Sequence, residues 1–258
     1  MSYIIGFFSS KGGVGKTTLT ANIGATLKHE FDFDVLLVDT HVLGADLSSH
    51  FGLLNPPVHM GDLLSGELPA EKVIYKDPRT GVDIIPGPLH PNIKAKLKFN
   101  KLRARLEELG DRYDFIILDT PPWLGKDTQG IPKAVDDAFV IGTPSVAGIL
   151  EAKKTIEMLN SYGREVVRVI INFYHGLDYE LHPEEIENFL EDVPVLGIVP
   201  EDEKIRRALG YGVPAVIASP DSPGSRVMIE MAAEIGGVEY EERERGLLSR
   251  IFGRLFGR

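Results

Sequence analysis

The run Lys11-Gly12-Gly13-Val14-Gly15-Lys16-Thr17-Thr18 carries the residue types needed to hold a phosphate. Its three glycines let the backbone curl so that successive N–H groups point into one concavity. A helix starting near Lys16 adds the positive end of its dipole. The Lys16 ammonium is long enough to reach β- and γ-phosphate oxygens, and the Thr17 hydroxyl suits Mg²⁺. Ser10 stands where the generic G-x-x-x-x-G-K-[ST] pattern has its first glycine, and Lys11 is an additional lysine. An ordinary glycine turn before a helix shares some of these features, so the surrounding elements must decide.

Four other residues are placed for chemistry by the apolar runs they follow. Asp34-Val-Leu-Leu-Val-Asp39 and Tyr113-Asp-Phe-Ile-Ile-Leu-Asp119 are buried-strand patterns ending in an acid. Ser9 and Asn172 close two further runs, 3–8 and 166–171. In an open parallel sheet the ligand lies beyond the carboxyl ends of the strands, so these residues are expected to converge on one crevice. There Asp119 and Asp39 suit a water-mediated hold on Mg²⁺. An acid capping a strand–loop junction is the plainer reading of either.

The elements that must position them alternate strand with helix. Tyr3-Ile-Ile-Gly-Phe-Phe8 reads as a strand, and Leu19, Ile23 and Leu27 recur at helical spacing after the glycine loop. Further strands are expected at 82–86, 138–142, 166–172 and 195–199, with helices at 93–110, 146–161, 183–191, 202–210 and 223–235. Continuous apolar strands between amphipathic helices predict an α/β fold: a mostly parallel sheet covered on both faces, three layers in all.

With strand and helix around it, the octet resembles the deviant phosphate loop of the MinD/ParA ATPases, a branch of the P-loop NTPases, and the likeness extends over nearly the whole chain. It implies ATP and Mg²⁺ as ligands, with Ser10 to Thr18 around the phosphates. Lys11 and Lys16 on phosphate oxygens, and Thr17, Asp39 and Asp119 around Mg²⁺, are the implied catalytic apparatus. It also implies an ATP-state homodimer in which Lys11 reaches the partner's phosphates, and a protein partner that stimulates hydrolysis. Asn172 and the segment Pro200-Glu201-Asp202 resemble adenine-contacting segments of MinD-like proteins. No Asn/Thr-Lys-x-Asp guanine motif follows a late strand, which favours ATP.

One position departs from the family. Relatives usually carry Asp-x-Asp where this chain has Asp39-Thr40-His41. An imidazole with an ordinary pKa near 6.5 is a different base from a carboxylate. His41 replaces the acid, or Asp46 supplies it, or hydrolysis is very slow; an exposed loop histidine is the plain alternative. Weak intrinsic ATPase activity is expected.

The 258 residues suit one large domain, and 43% hydrophobic with 26% charged content is that of a globular protein. A net charge of −10 argues against nucleic-acid binding over the whole surface. The absence of cysteine removes disulfides, zinc–thiolate sites and iron–sulfur ligation, and fits a reducing cytoplasm. No signal peptide or membrane-spanning run is visible, and the single glutamine (Gln129) beside abundant Glu, Lys and Arg gives a thermophile-like composition.

Residues 1–237 read as the ATPase domain, 238–245 as a charged connector and 246–258 as an amphipathic helix. In that helix Leu247, Leu248, Ile251, Phe252, Leu255 and Phe256 oppose Arg250, Arg254 and Arg258, the pattern of a helix lying in a membrane interface. It resembles the C-terminal membrane-targeting sequence of MinD and implies peripheral membrane association in the ATP state. Docking of this helix on its own body or on a partner is the plainer reading. A stripe of Lys94, Lys98, Lys101 and Arg105 keeps a ParA-like partition role on DNA open. A nucleotide-gated scaffold with scarce hydrolysis is the third reading.

Overall fold

A computed structural model describes residues 2–41, 44, 46–88, 99–122, 125, 128–191 and 193–240. The first strand β1 (Tyr3–Phe8) leads through the glycine loop into α1 (Lys16–His29), then β2 (Val35–Asp39), as the apolar pattern predicts. The remaining strands are β3 (Tyr75–Lys76), β4 (Asp83–Ile85), β5 (Phe115–Asp119), β6 (Asp137–Gly142), β7 (Val166–Tyr174) and β8 (Val195–Pro200). They form one eight-stranded sheet in the order β3-β4-β2-β5-β1-β6-β7-β8. Every neighbouring pair is parallel except β3 with β4.

Burial explains this arrangement. All five residues of β2 and of β5 are buried, as strands packed on both faces must be. Alternate side chains serve opposite layers: Ile4, Phe8, Leu36, Val38, Ile116 and Leu118 enter one core. Ile5, Phe7, Leu37, Phe115 and Ile117 enter the other. The first core is closed by α2 (Met60–Ser65), α3 (Leu102–Glu107), α4 (Gly130–Ala134), α5 (Val146–Ser161) and α6 (Pro183–Leu190). The second is closed by α1, α8 (Ala215–Ala218) and α9 (Pro223–Gly236). The three-layer α/β expectation is borne out.

Helix α1 is buried on nearly every side, so its polar side chains need partners. Asn22 donates to the Thr18 carbonyl at 2.7 Å and accepts from the Val216 N–H at 3.0 Å, which fastens α8 to the helix. Thr26 donates to the Asn22 carbonyl at 2.9 Å.

Several boundaries differ from expectation for local reasons. The helix expected over 93–110 is described only as a 3₁₀ turn, Phe99–Lys101, followed by α3. It stops at Glu107 because Gly110, at φ 62°, turns the chain and donates to the Glu107 carbonyl at 3.0 Å. Lys94, Ala95 and Lys98 lie outside the described residues. So do 241–258, and with them the six apolar tail residues. Strand β7 continues past Asn172 to Tyr174, with a register shift there and Phe173 at φ 64°. Strand β3 is too short for any periodicity to announce it. Among the described residues no helix is long and apolar enough to cross a membrane.

The approach of α4 to the Phe99 turn requires glycine. A Cβ on Gly130 would lie 2.1 Å from the Phe99 carbonyl carbon and oxygen, backbone atoms that cannot rotate away. Alanine ordinarily favours a helix by about 1 kcal/mol, so the steric term must overturn a propensity gain. Gly130→Ala is expected to lose about 1–3 kcal/mol net. Urea unfolding should show a lower midpoint at unchanged slope; an unchanged midpoint would mean that the turn moves freely.

Candidate functional site

The sheet order sets three strand ends side by side, β2-β5-β1, and so brings Asp39, Asp119 and the glycine loop together. Register confirms it: Asp39 pairs with Asp119, and Asp119 with Phe7. Threonines tie these ends. Thr40 donates its hydroxyl to the Asp119 carbonyl at 2.7 Å, and Thr120 donates to the Phe7 carbonyl at 2.6 Å.

The loop is held from three directions. Gly13 and Gly15 adopt φ 76° and 90°, left-handed values that favour glycine. On one side the Ser10 N–H donates to Thr155 at 3.1 Å, and its hydroxyl donates to the Glu151 carboxylate at 2.9 Å. That hydroxyl is therefore engaged by α5. On the other side Asn172 donates from Nδ2 to the Val14 carbonyl at 2.9 Å. A Cβ on Gly15 would fall 2.1 Å from that same nitrogen, so the clamp and the glycine require each other. From within, the Lys16 ammonium approaches the Lys11 carbonyl at 3.4 Å. Lys11, Gly12 and Gly13 are exposed at the mouth, while Lys16 is buried.

Opposite Lys16 are two carboxylates with no exposed surface. Asp39 is fully engaged: Oδ1 accepts from the His41 N–H and Nδ1, both at 3.0 Å, and Oδ2 accepts from the Leu47 N–H at 3.2 Å. Asp119 is the reverse, since neither carboxylate oxygen has a hydrogen-bond partner. Burial pushes its carboxyl up to about 7, with Asp39 adding to the rise and His41 opposing it. Burial likewise lowers the Lys16 ammonium, against the pull of Asp119 and Asp46. His41 is buried rather than an exposed loop histidine. Burial disfavours its cation, but the Asp39 hydrogen bond and both carboxylate charges hold its pKa above the ordinary value.

A cleft of about 420 Å³ is floored by Gly12, Gly13, Gly15, Lys16, Thr17 and Thr18, with His41, Asp46 and His50 also lining it. Thr18 and Phe173 belong also to an adjoining groove that runs past Asn172 to Pro200, Glu201 and Asp202. The groove is narrow, about 30 Å³ against the cleft's 420 Å³. The donor set fits a divalent cation, because neither oxygen of the buried Asp119 carboxylate is hydrogen-bonded and its charged neighbour, His41 Nδ1, stands 3.5 Å away. Asp202 differs from expectation. Its Oδ1 accepts from the Lys204 N–H at 2.8 Å, capping α7 (Glu203–Gly210), and its Oδ2 accepts from the Gly224 N–H at 3.1 Å. Its side chain is committed to holding helices, which leaves Pro200 and Glu201 to face the groove.

Two residues of this cleft had no announcing pattern. His50 sets Nε2 3.2 Å from the Thr18 hydroxyl and Nδ1 3.3 Å from the Asp46 carbonyl. Phe173 lies in both spaces on a left-handed backbone, a strain that sequence does not display.

Comparison with known proteins gives the family and the fold. Residues 5–215 match the CobQ/CobB/MinD/ParA nucleotide-binding domain. An uncharacterized ATP-binding protein of Methanocaldococcus jannaschii is 34% identical, over 100% of this chain and 98% of its own. The crystal structure of the Pyrococcus furiosus cell division ATPase MinD superimposes with a TM-score of 0.85 at 32% identity, covering 92% of this chain and 99% of that one. The septum site-determining protein MinD of Pyrococcus horikoshii, complexed with Mg-ADP, gives 0.84 at 31% identity, covering 91% and 96%.

His50 generates a pH prediction. Burial holds its pKa below the ordinary value, so in acid the unfolded chain binds a proton that the folded chain refuses. Its contribution to stability is full above about pH 6.5 and falls as pH drops towards the folded pKa. His41, raised instead, works in the opposite sense. Replacing only the first ring, His50→Gln should flatten the acid-side loss of stability, read from urea midpoints between about pH 5 and 7. An unchanged pH slope would refute a buried neutral His50.

Proposed function

The chain belongs to the CobQ/CobB/MinD/ParA nucleotide-binding family, and on that premise we propose that it is a MinD-like, ATP-hydrolysing switch. One observation supports this reading above the rest. A buried lysine begins α1 directly beneath a left-handed glycine loop and faces an orphaned buried carboxylate. An ammonium, main-chain donors and an acceptor awaiting a cation form the complementary surface for a magnesium triphosphate.

In this reading the N–H groups of Gly12 to Thr17 and the Lys16 ammonium bind phosphate oxygens. The Thr17 hydroxyl, with Asp119 and Asp39, would hold Mg²⁺, which neutralises phosphate charge when bound. Asn172 keeps the loop in shape, and Pro200 and Glu201 border the base. Lys11, exposed at the mouth, is free to reach a second copy's phosphates. Hydrolysis is phosphoryl transfer to water, achieved by positioning and fixed charge. His41 stands where the family pattern has an acid, and hydrolysis is accordingly slow.

The tail supplies the output. Each arginine near an anionic surface contributes about 1 kcal/mol, so one short helix binds weakly. Two tails on an ATP-bound dimer gain a factor of roughly 10²–10⁴ by avidity. Nucleotide state then sets membrane occupancy, and through it the placement of division or other machinery. The DNA reading is weaker, because Arg105 of the basic stripe is paired with Glu108 at 2.5 Å.

Two measurements test this. Lys16→Ala removes a charge-assisted contact worth about 1.5–3 kcal/mol, so fluorescent-ATP titration with Mg²⁺ should show affinity falling by roughly ten- to a hundredfold. Equal affinity would sink the assignment of the loop. Separately, the full chain should sediment with anionic liposomes in ATP and remain in the supernatant in ADP, while a chain ending at Glu244 should not sediment in either. ATP-dependent retention on DNA instead would favour the partition reading.

A further inference from the structure

The proposed cation position differs chemically from an all-oxygen magnesium site. His41 Nδ1 lies 3.0 Å from Asp39 Oδ1 and 3.5 Å from Asp119 Oδ2. One donor atom from each of these three buried residues falls within 4.8 Å of the others. Ligand atoms around an ion with bonds of about 2.0–2.2 Å stand roughly 3.0–3.5 Å apart, and two of the three separations already have that length. Asp119, wholly buried with both oxygens unpartnered, supplies the independent sign that a positive group belongs there. Lys16 alone does not serve, since its ammonium is directed to the Lys11 carbonyl and makes no ion pair with Asp119 within 4.0 Å among the described residues.

Orientation of the imidazole adds to this. Its Nδ1, not merely its ring edge, faces both carboxylates. With the proton it gives Asp39 displaced, as metal binding to imidazole requires, that nitrogen would present its lone pair to a cation between the carboxylates. Mg²⁺ demands oxygen ligands and keeps its waters. Imidazole with carboxylates suits the borderline ions, whose affinity for such donors rises from Mn²⁺ through Co²⁺ towards the end of the row.

We propose that His41 makes Asp39, His41 and Asp119 a mixed nitrogen–oxygen site that selects a borderline divalent cation of the Mn²⁺, Co²⁺ or Zn²⁺ class over Mg²⁺, and holds it before nucleotide arrives. The inference rests on the nucleotide reading only in that the same carboxylates would serve a bound triphosphate. The departure of His41 from the family's acid thereby gains a role in ion choice.

The test uses the full chain, freed of metal by a chelator and titrated with Co²⁺ in the absence of nucleotide. Visible ligand-field absorption should rise and saturate near one equivalent, and roughly a hundredfold excess of Mg²⁺ should leave it in place. His41→Asp keeps an all-oxygen site and should bind Co²⁺ at least about a hundredfold more weakly, since even outer-sphere partners change affinity by 10–100-fold. Asp119→Asn should lose the band as well, and circular dichroism melting establishes that each variant is folded. Equal Co²⁺ affinity in the parent and His41→Asp, or displacement by equimolar Mg²⁺, would overturn the proposal. Fluorescent-ATP binding is measured in parallel with Mg²⁺. A chain that takes Co²⁺ but no ATP refutes the nucleotide reading and keeps the metal site; one that binds Mg-ATP while treating both variants alike does the opposite.

Discussion

Burying an ammonium is costly unless something compensates it, and Lys16 is buried. Much of the molecule follows from meeting that constraint. Part of the compensation comes at longer range from the charges of Asp46 and of Asp119 at the end of β5, the strand that lies between β2 and β1 in the sheet. Only a parallel arrangement delivers the carboxyl ends of all three at one edge. The glycine loop then lowers Lys16 into that field instead of letting it reach water. Asn172 from β7 and Ser10 against α5 keep the loop from relaxing outwards.

The same constraint explains why α1 is so thoroughly enclosed. A helix that starts at a charged site in the middle of a sheet must cross the sheet's face, and it is roofed by α9 and fastened to α8 through Asn22. Its polar residues are satisfied along its own axis or by that one tie. Rigidity there fixes where Lys16 and Thr17 start, which positioning chemistry requires.

Much of the fold was legible because burial on two faces writes continuous apolar runs, and glycine before lysine writes a loop. Asp39 and Asp119 could be placed from sequence because each ends such a run. What was illegible depends on contacts between distant segments. His50 is separated from Thr18 by 32 positions, and no local pattern announces their hydrogen bond. Phe173, just past the strand expected over 166–172, shows its left-handed backbone only in the fold. The segment 60–76 has helix and strand pieces too short for periodicity, set instead by local caps such as His59 accepting from Gly61.

Three aspartates illustrate what hydrogen-bond accounting adds to motif reading. Asp39, Asp119 and Asp202 each stand at or just past the end of a strand, and sequence assigns each of them to a ligand. In the fold, Asp202 has both oxygens bound to helix N–H groups, so its side chain holds α7 and α9 in place. Asp39 has both oxygens bound as well, but by the loop that carries His41, so it shapes that loop from beneath the site. Asp119 has neither bound. A buried acceptor left open is unfavourable by about 1–3 kcal/mol, and more for a charged one. Here the fold keeps one, with the hydroxyls of Thr40 and Thr120 directed to backbone instead and the His41 Nδ1 no nearer than 3.5 Å.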